Sequence, residues 1–179
     1  VENPSKERTR AFIQRLKMYS TEIRTKDFDF IGMTLQYEMC YTNILQILDL
    51  GQVPLLSSER NNDDPIVVVG GPCATNPEPI ADFIDIAYIG EGENSYDKLL
   101  DLYKECKADG FDRNVFLRKA SHIPGLYVPS LYCVSYNDDG TISNFAPIYE
   151  DVPAVIERQV VADMDSVTYP TRMLIPFVR

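Results

Sequence analysis

One histidine, His122, is all the imidazole this chain carries, and a metal or proton-transfer role for it needs partners that no neighbouring segment supplies. His122 therefore reads as a turn or solvent-facing residue. Tryptophan is absent, and the four cysteines, Cys40, Cys73, Cys106 and Cys133, lie 33, 33 and 27 residues apart. Such gaps match no close metal-ligand spacing. They give no reason to expect a disulfide framework in an intracellular chain of 179 residues, so at least three read as small buried hydrophobes. No apolar run approaches the ~20 residues of a membrane span. The opening "VENPSKERTR" is polar and mixed in charge, unlike a signal or transit peptide, and a cytoplasmic protein with no membrane partner is expected. Positive charge is also scarce: 17 Lys and Arg stand against 27 Asp and Glu, and residues 61–110 hold 3 against 11. A surface built that way is poorly suited to neutralising phosphates, so no direct nucleic-acid partner is expected; a bland alternative is that the charge only keeps the surface soluble. Neither a G-x-G-x-x-G fingerprint nor a P-loop is present, and no nucleophile–base pair lies within one segment. No catalytic and no metal-ligating residue is assigned.

What remains is ordinary globular composition, 45% hydrophobic, enough for one core with an appendage. Residues 6–19 carry Phe12, Ile13, Leu16 and Tyr19 at helical spacing. "FDFIGMTL", 28–35, predicts a strand covered on both faces. Tyr41, Ile44, Leu45 and Leu48 mark a helix that Gly51 can stop. "IVVV", 66–69, predicts a central parallel strand, and "IDIAYIG", 84–90, another, with "NPEPIADF" holding only a short helix between them. Tyr96, Leu99, Leu100 and Tyr103 mark the apolar face of a helix over 94–107, which Asn94 or Ser95 can cap. A further helix spans about 112–121. From Gly125 the character changes. "GLYVPSLYCVSYNDDGTISNFAPIYE" predicts two strands joined at Asn137-Asp138-Asp139-Gly140, and the proline-punctuated remainder an extended arm. Strand and helix alternate from 28 to 107. That order predicts an α/β, Rossmann-like, mostly parallel sheet flanked by helices, with a C-terminal β-hairpin and arm. The expected division is 1–124 and 125–179.

Ligands of open parallel sheets sit beyond the carboxyl ends of the strands. Three such ends are visible: Gln36-Tyr37-Glu38, Gly70-Gly71-Pro72-Cys73 and Gly90-Glu91-Gly92-Glu93. Glycine there allows positive φ and close approach of a ligand to the backbone, and both glycine loops run toward helix starts that can hold an anion. The candidate binding residues are Gln36, Tyr37, Gly70, Gly71, Pro72, Cys73, Gly90, Glu91, Gly92 and Glu93. Tight strand-to-helix turns use glycine with no ligand at all, so a turn role stays open for each loop. Helix capping stays open for Glu91 and Glu93. Tyr41 and Asn43 lie near a strand end, but Tyr41 fits the buried stripe of its helix better than a pocket.

"GGPCATNPEPIADFIDIAYIGEGENSYDKLL" resembles the segment found in cobalamin-binding-type domains of radical S-adenosylmethionine proteins. The residues that carry the likeness are Gly70, Gly71, Pro72, Asn76, Pro77 and Glu78, then Asp85, Gly90, Glu91, Gly92 and Glu93. "DFDFIGMTLQYEMCYTNILQILDLGQVPLLSSER" and "IPGLYVPSLY" are similar to a branch labelled Fe–S oxidoreductases, so the likeness covers about 27–177. It implies a larger enzyme in which this domain precedes a partial TIM barrel. The barrel's Cys-x-x-x-Cys-x-x-Cys motif, absent here, would hold a 4Fe–4S cluster with S-adenosylmethionine on its open iron. It further implies cobalamin as the leading ligand of this domain, the chain's own radical-SAM barrel as its partner, and a first strand upstream of residue 1. The glycines would back the cofactor's nucleotide tail, with Gln36, Tyr37, Glu91 and Glu93 as polar contacts. The alternative is a ligand-free structural or substrate-docking module of the same enzyme.

Overall fold

In the computed structural model, residues 24–167 are described. The expected helix at 6–19, the upstream strand and the last part of the arm lie outside them. Four strands form one sheet in the order β1 (Phe30–Thr34), β2 (Ile66–Gly70), β3 (Ile86–Tyr88) and β4 (Leu126–Tyr127). The first three are parallel, with Ile31 opposite Val67 and Val68 opposite Ile86, while β4 runs antiparallel to β3. The α/β fold with a mostly parallel sheet and a separate hairpin is therefore as the alternation of elements predicts.

Side chains one residue apart on a strand point to opposite faces, and the core divides accordingly. Val68, Ile86, Tyr88 and Leu126 face one way, against Leu99, Tyr103 and Cys106 of α2 (Tyr96–Ala108) and Phe116, Leu117 and Ala120 of α3 (Arg113–Ala120). Ile31, Val67, Val69, Ala87 and Tyr127 face the other, against Tyr41, Ile44 and Leu48 of α1 (Tyr41–Leu50). This is why β2 is apolar at every position: Val67 and Val69 are fully buried on one face while Ile66 and Val68 are buried on the other. Full burial of each such side chain stabilises the fold by roughly 1.5–3 kcal/mol.

α1 ends at Leu50, as expected, but Gly51 is not left-handed; the positive φ falls on Gln52. A Cβ at Gly51 would lie 2.9 Å from the Ile47 carbonyl oxygen and 3.0 Å from Thr25 Cβ, so closeness to the segment before β1 is what a side chain there would disturb. α3 starts within the expected 112–121 span, capped by the Asp112 carboxylate, which accepts from Val115 N–H at 2.9 Å. α2 is different. Ser95 stands at its N-cap but does not cap it through its side chain; Ser95 Oγ donates to the Pro124 carbonyl at 3.4 Å, and a 3-10 turn, Gly92–Asn94, precedes the helix. The stripe predicted for α2 is also too wide. Leu99 and Tyr103 are buried, but Tyr96 and Leu100 are 49% and 43% exposed, because the sheet beneath them is floored by glycines.

The hairpin is β5 (Tyr132–Tyr136) with β6 (Ile142–Pro147), turning where Asn137-Asp138-Asp139-Gly140 predicts. Its first strand starts later than the sequence suggests. Leu126–Tyr127 pairs instead with β3, and Pro129–Leu131 turns the chain between them.

Candidate functional site

A charged lock sets the amino ends of the strands. Asp85, 2% exposed, precedes β3. Its Oδ2 accepts from Val67 N–H at 2.7 Å, Arg60 Nη1 at 2.9 Å and Arg113 Nη2 at 2.7 Å. Arg60 also donates to the carbonyls of Pro54, Leu55 and Phe83, and Arg113 to those of Asn61, Asp64 and Pro65. The two guanidiniums therefore tie the loop before β2, the turn before β3 and the start of α3 to one carboxylate. Arg60 and Arg113 escape a reading by local spacing, because each lies more than 20 residues from Asp85.

At the carboxyl ends of β1 and β2 the sheet opens into a groove of about 390 Å³. Its floor is Gly32, Thr34, Val68, Gly70 and Gly71; Tyr96, Leu99 and Leu100 of α2 form one wall. The volume sits at the low end of the ~300–1,000 Å³ of small-molecule sites. A Cβ on Gly32 would meet nothing within 4 Å, and one on Gly70 only Tyr96 Oη at 3.9 Å, so both positions present bare backbone to open space.

The other candidate glycines are filled by the protein itself. Gly71 has φ +95, and a Cβ there would lie 2.8 Å from Thr34 Cγ2 and 3.0 Å from the Leu35 carbonyl oxygen. It lets the loop press back on β1, where Leu35 N–H donates to Gly70 O (2.7 Å) and Cys73 N–H to Leu35 O (3.1 Å). A Cβ on Gly92 would overlap the Tyr96 ring, and one on Gly90, φ +115, would overlap the backbone of Gln159 in the arm. The loop's Glu91 carboxylate accepts from Val161 N–H, also in the arm. Gln36 and Tyr37 are exposed and stand outside the groove lining, as do Pro72, Cys73 and Glu93. Partial burial, with Glu38 and Cys40 nearby, pushes the Cys73 thiol up, away from thiolate reactivity.

Nor does either glycine loop run straight into an α-helix. The 3-10 turn Pro72–Thr75 follows the first loop, and Gly92–Asn94 follows the second, with α2 starting two residues later at Tyr96. Tyr41 is core, as its spacing predicts; its hydroxyl donates to the carbonyls of Cys73 (3.3 Å) and Asn76 (3.0 Å). His122 lies past the end of α3, with Nδ1 3.0 Å from the Arg118 carbonyl and Nε2 3.5 Å from Asp151 Oδ2. Among the described residues no group of three His, Cys, Asp or Glu side chains is placed to hold a metal ion, and no helix is long and apolar enough to cross a membrane.

Of the ten candidate residues, then, only Gly70 and Gly71 line the groove. Gly32, Thr34 and Val68 of the sheet and Tyr96, Leu99 and Leu100 of α2 line it as well, without having been singled out for binding. The signal was available: Gly32, Thr34, Val68 and Gly70 share a strand face, and three of the four are too small to reach a helix.

Fold and groove together define an α/β module whose mostly parallel sheet opens into a groove at the carboxyl ends of β1 and β2. Residues 3–129 match the family described as "Radical SAM proteins, N-terminal", and the chain belongs to that family. It is also 40% identical over 89 residues to an uncharacterized protein of Methanocaldococcus jannaschii (strain ATCC 43067 / DSM 2661 / JAL-1 / JCM 10045 / NBRC 100440). The aligned stretch covers 49% of this chain and 18% of that relative.

Proposed function

We propose that this chain is the non-catalytic N-terminal module of a radical S-adenosylmethionine Fe–S oxidoreductase, and that its groove seats a small organic ligand for the enzyme's barrel. The observation that carries this reading is the pair of bare glycines, Gly32 and Gly70, flooring a groove at the carboxyl ends of β1 and β2. The family supports a 4Fe–4S cluster and S-adenosylmethionine in the whole enzyme. In this reading the cluster belongs to the barrel, this module's proposed partner.

Cobalamin is the ligand the resemblance implies, and the residues fit it only in part. No histidine lines the groove, and the Gly90 and Gly92 cradles are filled by Gln159 and Tyr96. A corrin held through a histidine, or lying across both glycine loops, does not fit. The lining leaves a histidine-independent mode resting on Gly32 and Gly70. The chain's share of the work would be to exclude water along Val68 and Leu99 and to orient the ligand against Tyr96.

The test is titration of the full-length protein with hydroxocobalamin, followed by corrin absorbance, for wild type, Gly32→Val and Gly70→Val. Neither glycine has positive φ, so valine blocks the floor without backbone strain. A saturable one-to-one shift that both variants lose is the expected result. No shift with folded wild type removes cobalamin, and a thermal-shift screen of other small molecules against the same variants then tests the groove itself.

One feature favours a docking role as a second reading. Cross-strand register puts Tyr132, Val134 and Tyr136 on one face of the hairpin with Pro147, Phe145 and Ile142. Tyr136 and Ile142, at its tip, are 65% and 63% exposed. Serine at both tip positions would loosen contact with the barrel while leaving groove binding intact, read as a rise in hydrogen exchange at the hairpin of the full-length protein.

A further inference from the structure

The arm after the hairpin packs on both faces of the sheet and then crosses the Gly90–Glu93 loop. Val152 is buried with the α2–α3 face of the sheet, and Ile156 packs against the α1 face. Gln159 then forms a parallel bridge with Gly90. Its N–H donates to the Ile89 carbonyl at 3.0 Å, and its carbonyl accepts from Glu91 N–H at 3.0 Å. Val161 is buried, and its N–H is taken by the Glu91 carboxylate. Two left-handed glycines make room. A Cβ on Gly90 would overlap the Gln159 backbone, and one on Gly125, φ +84, would lie 2.6 Å from Gln159 Cγ. The loop is itself held from behind: Tyr88 Oη donates to the Glu91 carbonyl at 2.8 Å, and the Tyr88 and Tyr96 rings stack at 5.6 Å.

We propose that Gly90-Glu91-Gly92-Glu93, with Gly125, is a docking seat for the chain's own arm, residues 157–161. The seat fixes the arm at the carboxyl edge of the sheet, against the loop that follows β3. This explains why an acidic side chain belongs in the loop, since Glu91 is the acceptor that the arm's Val161 N–H needs once it is buried. It explains the glycines as well, since a β-bridge to a strand end with no room for a side chain requires a residue without one. The inference does not rest on the groove's holding a ligand.

The test is hydrogen exchange of the full-length protein, read on peptides covering 86–93 and 155–163, with limited proteolysis of the stretch 162–167. In wild type the amides of Glu91, Gln159 and Val161 exchange at least about tenfold more slowly than an unstructured chain, as amides of a seated segment must. Gly90→Val removes that protection and opens 162–167 to cleavage, while β1 and β2 stay protected. Glu91→Ala keeps the backbone of the seat and loses protection at Val161 alone, so it decides the matter should Gly90→Val fail to fold. Gly140→Ala is the control, a left-handed glycine with open space around it. Free exchange of 157–161 in wild type, or unchanged protection in a folded Gly90→Val or Glu91→Ala variant, overturns the proposal.

Discussion

At the amino ends of β2 and β3 a single buried carboxylate takes three hydrogen bonds and two positive charges, while at the carboxyl ends of β1 and β2 two glycines face open space. The same sheet is closed by charge at one end and left bare at the other. The difference teaches where the molecule can tolerate change. Burying Asp85, Arg60 and Arg113 removes ions from water, a cost offset only while each keeps its partners. The arrangement is not complete even so, because Arg113 Nε is buried without a hydrogen-bond partner. The groove carries no such debt: its lining is mostly apolar side chain and backbone, and nothing charged depends on it.

The sharpest way to break the comparison is Asp85→Ala. It leaves Arg60 and Arg113 buried and uncompensated, and removes the acceptor of Val67 N–H. A loss of about 3–5 kcal/mol is expected, read by urea unfolding. A loss below about 1 kcal/mol would mean that water already reaches the two guanidiniums and that no lock exists. Gly32→Val and Gly70→Val sharpen the other side. At open positions with ordinary φ they should move stability by no more than about 0.5 kcal/mol while abolishing groove binding. A cost above about 2 kcal/mol for either would show that the floor is packed after all.

Tyr127→Phe probes the face opposite the groove. The Tyr127 hydroxyl donates to Glu78 Oε1 at 2.5 Å, and burial, reinforced by that bond, raises its pKa well above the ordinary value of 10.0. Tyr103 and Tyr132 are raised too, chiefly by burial. A tyrosine whose folded pKa is raised adds stability that is fully present below about pH 10 and is lost as pH climbs toward the folded value, because only the unfolded chain ionises freely there. Melting temperature should therefore fall above about pH 10, and fall less steeply in Tyr127→Phe. Near neutrality that variant should lose about 1 kcal/mol with the hydrogen bond. Equal alkaline slopes for the two proteins would assign the loss to other tyrosines.

The layers of this fold were legible because β2 is apolar at every position and α1 repeats Tyr41, Ile44 and Leu48 along one face; those patterns report burial directly. Asn137–Gly140 as a hairpin turn was equally local. The groove was less so. Glycine advertises conformational freedom or closeness, but not what comes close. Gly70 meets empty space, Gly71 its own strand, Gly92 a tyrosine ring and Gly90 an arm 69 residues further on, all with the same letter. The two arginines of the lock were hidden for the same reason, since a partner across the fold leaves no mark in local spacing. Tyr96 and Leu100 misled because an apolar helix stripe says that something apolar is near, not that it is the sheet.

The smallest effect is expected at the surface. Asp151 pairs with Arg118 through Arg118 Nη2–Oδ1 and Nε–Oδ2 contacts of 2.6 and 3.2 Å, and the guanidinium stacks 4.2 Å from the centre of the Tyr149 ring. The hydrogen bonds from Arg118 hold the Asp151 carboxyl below its ordinary value of 3.8. A depressed carboxylate adds stability that is present above the unfolded pKa and disappears as pH falls through the folded one. Asp151→Asn should therefore unfold slightly more easily than wild type near neutrality, and the two curves should converge below about pH 3. Raised salt should shrink the gap as well, because an exposed pair is screened. A gap that survives both acid and salt would mean that Asp151 acts through packing of the Tyr149 turn, and that this surface pair shares in the order of the amino-end lock rather than contrasting with it.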